Sequence, residues 1–156
     1  MAATDQLVER LRAGMEGMWL ERPEDVSRMV GRNFDTGKEF SCWAYCWGYL
    51  SNLGDLLYTL YGMANDGEGD VATLGALLAR RCRAYADSFE AAGHMTDCSG
   101  MLREAADGFG AVADHAELAR LARALQRYVM QLSFWVDMEL PWAEVCEYVD
   151  RRWHER

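Results

Sequence analysis

One long stretch of the sequence carries almost no charge, and it constrains the fold more than any other feature. Between Glu39 and Asp66 the only charged side chain is Asp55. Apolar residues recur there every three or four positions, which is typical of a helix, whereas a half-buried strand would alternate. We therefore predict a long, apolar helix over 37–64 that is buried on most sides and lies at the centre of a helical bundle.

Capping and helix-breaking residues divide the rest of the chain into helical lengths. Since no stretch shows sustained alternation of apolar and polar residues, we expect no sheet. The sequence predicts one all-α domain over 1–156, a bundle of about six or seven helices around the 37–64 helix. The boundary signals are Thr4, Pro23, Thr36 with Glu39, Asp70, Gly93, Asp114 with Glu117, and Pro141.

The chain contains 6 tryptophans, and four of them fall on faces that the helical pattern turns inward. Large aromatic side chains dominate the packing of a core. The pattern therefore predicts that these four side chains are part of the core. They are Trp43, Trp47, Trp142 and Trp153.

Charge restricts the class of partner. The chain has 25 acidic against 16 basic residues and a net charge of −9. Direct binding to nucleic acid needs clustered basic residues, so the excess of acidic residues favours a basic protein as partner instead. The 5 cysteines include no CxxC pair, which is typical of reduced thiols in the cytoplasm. We also find no signal peptide and no apolar run long enough to span a membrane.

No motif for catalysis, metal binding or cofactor binding emerges from the spacing of reactive residues. Glu90 precedes His94 by four positions and Asp150 precedes His154 likewise, so each pair shares a helix face. Both pairs lie at predicted helix ends, where a histidine commonly interacts with the helix dipole. Cys98 is placed as a nucleophile would be, but its neighbour Asp97 opposes formation of a thiolate. We expect no catalytic residue, no metal and no cofactor, and a non-enzymatic role is favoured.

Asp55 is open to two interpretations, because a lone carboxylate on an apolar helix must be paired or must face a cavity. The favoured one is a buried ion pair with an arginine, for which the candidates are Arg80, Arg81, Arg83 and Arg123. The alternative is a polar pocket that binds a small molecule or a metal. Its lining residues would be Tyr45, Asn52, Asp55 and Thr59.

Arg120, Arg123 and Arg127 follow one flank of the predicted long helix near the C-terminus. Such a stripe suits a phosphate or a carboxylate. The favoured interpretation is an exposed face on which the arginines pair with acids such as Glu117.

Two acidic surfaces provide the leading functional hypothesis. The first is a turn without nearby basic residues, and the second is the outer face of the last predicted helix. We expect one of them to bind a basic partner protein, for example one that handles nucleic acid, and to inhibit or regulate it. The sequence does not indicate an oligomeric state. The candidate binding residues are Asp66, Glu68, Asp70, Glu144, Glu147 and Asp150.

Overall fold

The computed structural model describes residues 3–30 and 37–139, together with residues 146, 147, 150, 151 and 154. Side chains are described for these residues except 30 and 37–42. This part of the chain forms six helices and no strand, so the predicted all-α bundle is confirmed. The helix expected after Pro141 and the cap at Thr36 lie outside the described residues. The helices are α1 (Ala3–Leu20), α2 (Glu24–Val30), α3 (Gly37–Asn65), α4 (Val71–Ala92), α5 (Thr96–Gly110) and α6 (His115–Glu139).

Helix α4 begins and ends at the residues that the sequence indicates. The carboxylate of Asp70 accepts a hydrogen bond from the backbone N–H of Thr73 at 2.9 Å, which satisfies a donor that the first turn leaves free. At the other end Gly93 takes a left-handed conformation with φ 73°, which a residue without a side chain adopts at no steric cost.

Glu117 fixes the start of α6 and also ties it to α1. Its backbone N–H donates to the carboxylate of Asp114 at 2.8 Å, as expected for an N-cap. Thr4 does not cap α1 as predicted, because it lies inside that helix. Its buried hydroxyl instead donates to the carboxylate of Glu117, 113 positions along the chain.

The inner face of α3 is a single narrow seam. Its buried side chains alternate spacings of three and four, which is the heptad pattern of helices that pack along one another. Trp47 lies beside this seam, and it is 39% exposed. The prediction that Trp47 is a core residue is therefore wrong, whereas Trp43 is buried as expected. The seam consists of Trp43, Cys46, Leu50, Leu53, Leu57, Leu60 and Ala64.

Helix α6 holds the bundle together, since it packs along α3 on one side and against α1 on another. The hydroxyls of Ser51 and Ser133 lie 3.3 Å apart where α3 and α6 meet. Helix α4 packs mainly against α5, and Gly75 of α4 lies against the backbone of Phe109 in α5. A Cβ at Gly75 would lie 2.5 Å from the carbonyl oxygen of Phe109, so a hydrogen in place of a side chain allows this contact.

Helix α2 supplies the cap of α5. The residue before α5, Met95, makes no side-chain cap and has a left-handed φ of 58°. The buried carboxylate of Asp25 takes over this role, because it accepts from the backbone N–H groups of Asp97 at 3.1 Å and Cys98 at 2.8 Å. Arg28 pairs with the same carboxylate at 2.9 Å, which offsets part of the cost of burying its charge.

Three of the described cysteines are buried, and they behave as small apolar core residues. Burial raises the pKa of the Cys82 thiol to about 12, and burial raises the pKa of Cys98 as well. Cys98 is thus no activated nucleophile, since the reactive form of cysteine is the thiolate. Within the described ranges, no helix is both long and apolar enough to span a bilayer. The buried thiols are those of Cys46, Cys82 and Cys98.

Candidate functional site

A pocket of about 610 Å³ lies between α1, the end of α3 and the first half of α6. This volume is within the range of small-molecule sites, which run from roughly 300 to 1,000 Å³. We call it the basic pocket, because four arginines and a histidine line it and none of its described lining residues is acidic. Its lining residues are Arg12, Met15, Tyr61, Ala64, Asn65, Gly67, His115, Ala116, Ala119, Arg120, Arg123, Ala124 and Arg127.

The sequence of α6 explains why a pocket forms here. Arg120, Arg123 and Arg127 are three and four positions apart, so they follow one flank of the helix. Alanines lie beside them or up to one turn away on the same helix, and their short side chains leave the space beside α1 unfilled. The space is therefore floored by small apolar groups and bordered by long cationic ones. The alanines that contribute to it from α6 are Ala116, Ala119 and Ala124.

Two of the four arginines are neutralised within the protein. Arg12 pairs with Glu9 at 3.0 Å, one turn earlier in α1. Arg120 pairs with Asp5 at 2.7 Å and so links α6 to the start of α1. Both pairs are exposed, where an ion pair contributes little stability and exchanges readily with other partners.

The other two arginines keep their charge without a carboxylate among the described residues. Arg123 donates to the neutral side chain of Gln126 at 2.8 Å, and its guanidinium carbon lies 5.5 Å from the centre of the Tyr61 ring. That cation–π contact orients the group without neutralising it. Arg127 is exposed and forms no ion pair within the described part of the chain. The predicted pairing of this stripe with acids is confirmed for Arg120, which pairs with Asp5, but it is wrong for Glu117, whose carboxylate binds Thr4 and the backbone of Ala113.

His115 connects the basic pocket to the acidic turn between α3 and α4. Its Nε2 lies 2.8 Å from the carbonyl oxygen of Gly69, so a ring N–H can donate to it. Gly67 from the same turn lines the pocket. Gly67 and Gly69 both have positive φ, 71° and 79°, a backbone conformation that suits glycine.

The acidic binding residues predicted from the sequence lie on exposed surface where the structure describes them. Asp66 and Glu68 are exposed in the turn and form no ion pair with another described residue. Asp70 is exposed too, but it is engaged as the cap of α4, and its hydrogen bonds to Thr73 lower the pKa of its carboxyl.

The second acidic surface is only partly described. Glu147 and Asp150 are exposed, and Glu144 lies outside the described residues. Asp150 interacts with His154 at 3.3 Å, so the spacing of this pair does bring the two side chains together. Across the described residues, no three histidine, cysteine or acidic side chains are grouped so that they could hold a metal ion.

Asp55 is exposed, so its predicted burial in an ion pair is wrong. Asn52 and Thr59 are exposed as well, and Tyr45 is half-buried against Tyr49, with ring centres 4.2 Å apart. None of the three cavities described here is lined by any of the four residues proposed for a polar pocket. The reason is that this strip of α3 faces solvent, where a carboxylate needs no partner.

The other two cavities carry charges of both signs. A shallow depression of about 570 Å³ is lined by Arg10, Asp97 and Glu104 among others, and Arg10 pairs with Glu104 at 3.1 Å. A smaller one of about 150 Å³ contains the Asp25–Arg28 pair that caps α5. Each carboxylate that lines these two cavities pairs with an arginine, so neither cavity has the excess of positive charge that distinguishes the basic pocket.

Sequence reasoning identified the three arginines of α6 but missed the residues that complete the pocket. Arg12, Tyr61 and His115 come from three separate elements. The alanines near these arginines in the sequence could have indicated a pocket, because short side chains beside long ones leave space on a helix face. Comparison with protein-family models, with curated proteins and with solved structures finds no match.

Proposed function

We propose that the protein binds a small organic anion in the basic pocket. The observation that supports this most is the excess of positive charge at one concave place in a chain of net charge −9. Arginine presents a planar fork of donors that suits carboxylate and phosphate oxygens. An anion there would replace water beside Arg123 and Arg127, which no described carboxylate neutralises.

The experiment is a thermal unfolding series with sodium citrate, phosphate or chloride at matched ionic strength. A ligand that binds only the native state raises its stability by about 2.7 kcal/mol at a hundred times its Kd. We expect the multivalent anions to raise Tm more than chloride does. In the double variant R123Q/R127Q this difference should shrink to the general salt effect that excluded anions such as citrate and phosphate have on any protein.

The matched control is R80Q/R81Q, which removes two exposed arginines of α4 that form no described ion pair. It makes the same change in net charge without touching the pocket. The control should keep the full anion-dependent rise in Tm. If both double variants lost the anion-dependent rise in Tm equally, the rise would depend on net charge alone. That result would contradict a pocket-specific site.

A second candidate function is the binding of a basic partner protein through the acidic turn. The supporting observation is that Asp66 and Glu68 are exposed and free of described ion pairs, while the rigid ends of α3 and α4 hold the turn between them. The variant D66N/E68Q leaves the cap at Asp70 intact. It should slow association with a basic partner recovered from the native cell and flatten the salt dependence of the on-rate. An unchanged on-rate and salt slope would exclude the turn.

A further inference from the structure

The number of arginines in the basic pocket that lack a described carboxylate partner restricts the kind of anion that the pocket can bind. Of its four arginines, Arg12 and Arg120 already have carboxylate partners at 3.0 and 2.7 Å. Arg123 and Arg127 have none among the described residues. The pocket thus offers two uncompensated guanidinium groups, which match a dianion better than a monoanion.

The spacing of these two arginines indicates a compact dianion. They are four positions apart on α6, so they are neighbours on the helix face, with their Cβ atoms roughly 6 Å apart. Like charges at this spacing repel one another. Both guanidinium groups can reach one small tetrahedral anion, whereas the two carboxylates of a dicarboxylate are held apart by carbon atoms.

A phosphate monoester has the required charge and geometry. It carries about −1.5 to −2 charges at neutral pH and presents three acceptor oxygens, enough for donors from two guanidinium groups. A carboxylate carries one charge and two oxygens. A phosphodiester, as in a nucleic-acid backbone, carries one charge and leaves two free oxygens.

The rest of the pocket indicates that the phosphate carries an organic group. The volume of about 610 Å³ is far larger than one phosphate ion needs. Away from the arginines most of the lining side chains are apolar, among them Met15, Ala64 and Ala119, although Asn65 and His115 also line the pocket. These would contact a hydrocarbon or a ring rather than a second charged group.

We propose, on the basis of the function proposed above, that the basic pocket takes a phosphate monoester of a mostly apolar organic group, with its phosphate between Arg123 and Arg127. The site therefore has two parts, one that selects a dianion and one that selects apolar surface. Each part makes its own contribution to affinity, and the two can be measured separately.

The test is isothermal titration calorimetry of the full chain with four probes at pH 7.5. The probes are phenyl phosphate, benzoate, dimethyl phosphate and inorganic phosphate. We expect phenyl phosphate to bind at least about tenfold more tightly than each of the others, because only it combines a dianion with an apolar group. In the variant R127Q we expect phenyl phosphate to bind about tenfold more weakly. Its Kd should then be close to the Kd that benzoate has for the unmodified chain.

Arg127 is exposed, so R127Q is not expected to unfold the protein, and its Tm without ligand checks this. The control is R81Q, an exposed arginine of α4 outside the pocket, which should leave all four affinities unchanged. R127K restores the charge but not the fork, and we expect it to recover only part of the affinity.

The possible failures are distinguishable. Equal binding of benzoate or dimethyl phosphate with phenyl phosphate would overturn the assignment to a monoester. Equal binding of inorganic phosphate would overturn the apolar part of the site. Both of these results would leave anion binding in the pocket intact. If no probe binds in a way that depends on Arg127, the monoester assignment is overturned, and unchanged anion-dependent Tm in R123Q/R127Q would overturn the proposed function.

Discussion

Asp25 shows how one buried carboxylate can organise two helices. It accepts hydrogen bonds from two backbone N–H groups at the start of α5 and pairs with Arg28. Replacing it by alanine leaves both N–H groups without an acceptor. Each such loss costs about 1 to 3 kcal/mol, so we expect D25A to lower the free energy of unfolding by about 2 to 6 kcal/mol. Chemical denaturation measures this directly.

The control for D25A is D55A, which removes a carboxylate from the exposed face of α3. A substitution at such a surface position changes stability by no more than about 0.5 kcal/mol. If D55A were as destabilising as D25A, the assignment of one carboxylate to a buried cap and the other to solvent would be wrong.

The contrast between these two residues explains why the sequence points to the wrong carboxylate. Asp55 stands out because its neighbours along the chain are uncharged. Burial depends instead on neighbours in space, and Asp25 is buried by α5, whose start lies more than seventy positions away, as its hydrogen bonds show. Nothing in the local sequence around Asp25 reports that contact. The cap at Asp70 was predictable because the two groups that donate to its carboxylate, the backbone N–H and the hydroxyl of Thr73, lie only three positions along the chain.

At the scale of helices, close approach of α4 and α5 depends on the absence of a side chain at Gly75. A Cβ there would lie 2.5 Å from the backbone oxygen of Phe109, which cannot move aside as a flexible side chain would. We expect G75A to destabilise the protein by about 1 to 3 kcal/mol, the usual cost of overpacking a core. Denaturant titration of G75A gives the value.

Gly100 provides the matched control, because it lies in α5 and a Cβ there would meet nothing within 4 Å. Alanine is the better helix former, so G100A should leave stability unchanged or raise it by up to about 1 kcal/mol. A neutral G75A would mean that α4 and α5 lie farther apart than described.

Helix boundaries proved easier to predict than helix faces. Asp70, Gly93 and the Asp114 cap mark the ends of α4 and the start of α6, because capping is a local interaction. The face of α3 was harder, since a helix with apolar residues on two sides has several possible seams. Contact with α6 selects a heptad seam, and the selection leaves Trp47 at its edge.

For the molecule as a whole, the all-α class follows from patterns that every segment shares, so it could be predicted without knowing which helices are neighbours. The basic pocket could not, because it requires that α1, α3 and α6 converge. The arginine stripe on α6 was visible in the sequence. Its meaning depends on the finding that no carboxylate of a described residue pairs with Arg123 or Arg127, and only the arrangement of helices reveals this.

Nuclear magnetic resonance can show directly whether an organic phosphate binds in the basic pocket. Phenyl phosphate is titrated into the ¹⁵N-labelled chain, and the shifts of backbone amide signals are followed. We expect saturable shifts concentrated in residues 115–127 of α6, with smaller ones near Arg12 and Tyr61, and we expect these shifts to be lost in R123Q/R127Q but not in R80Q/R81Q. Shifts that do not saturate, or that centre on α4 and α5, would contradict this expectation.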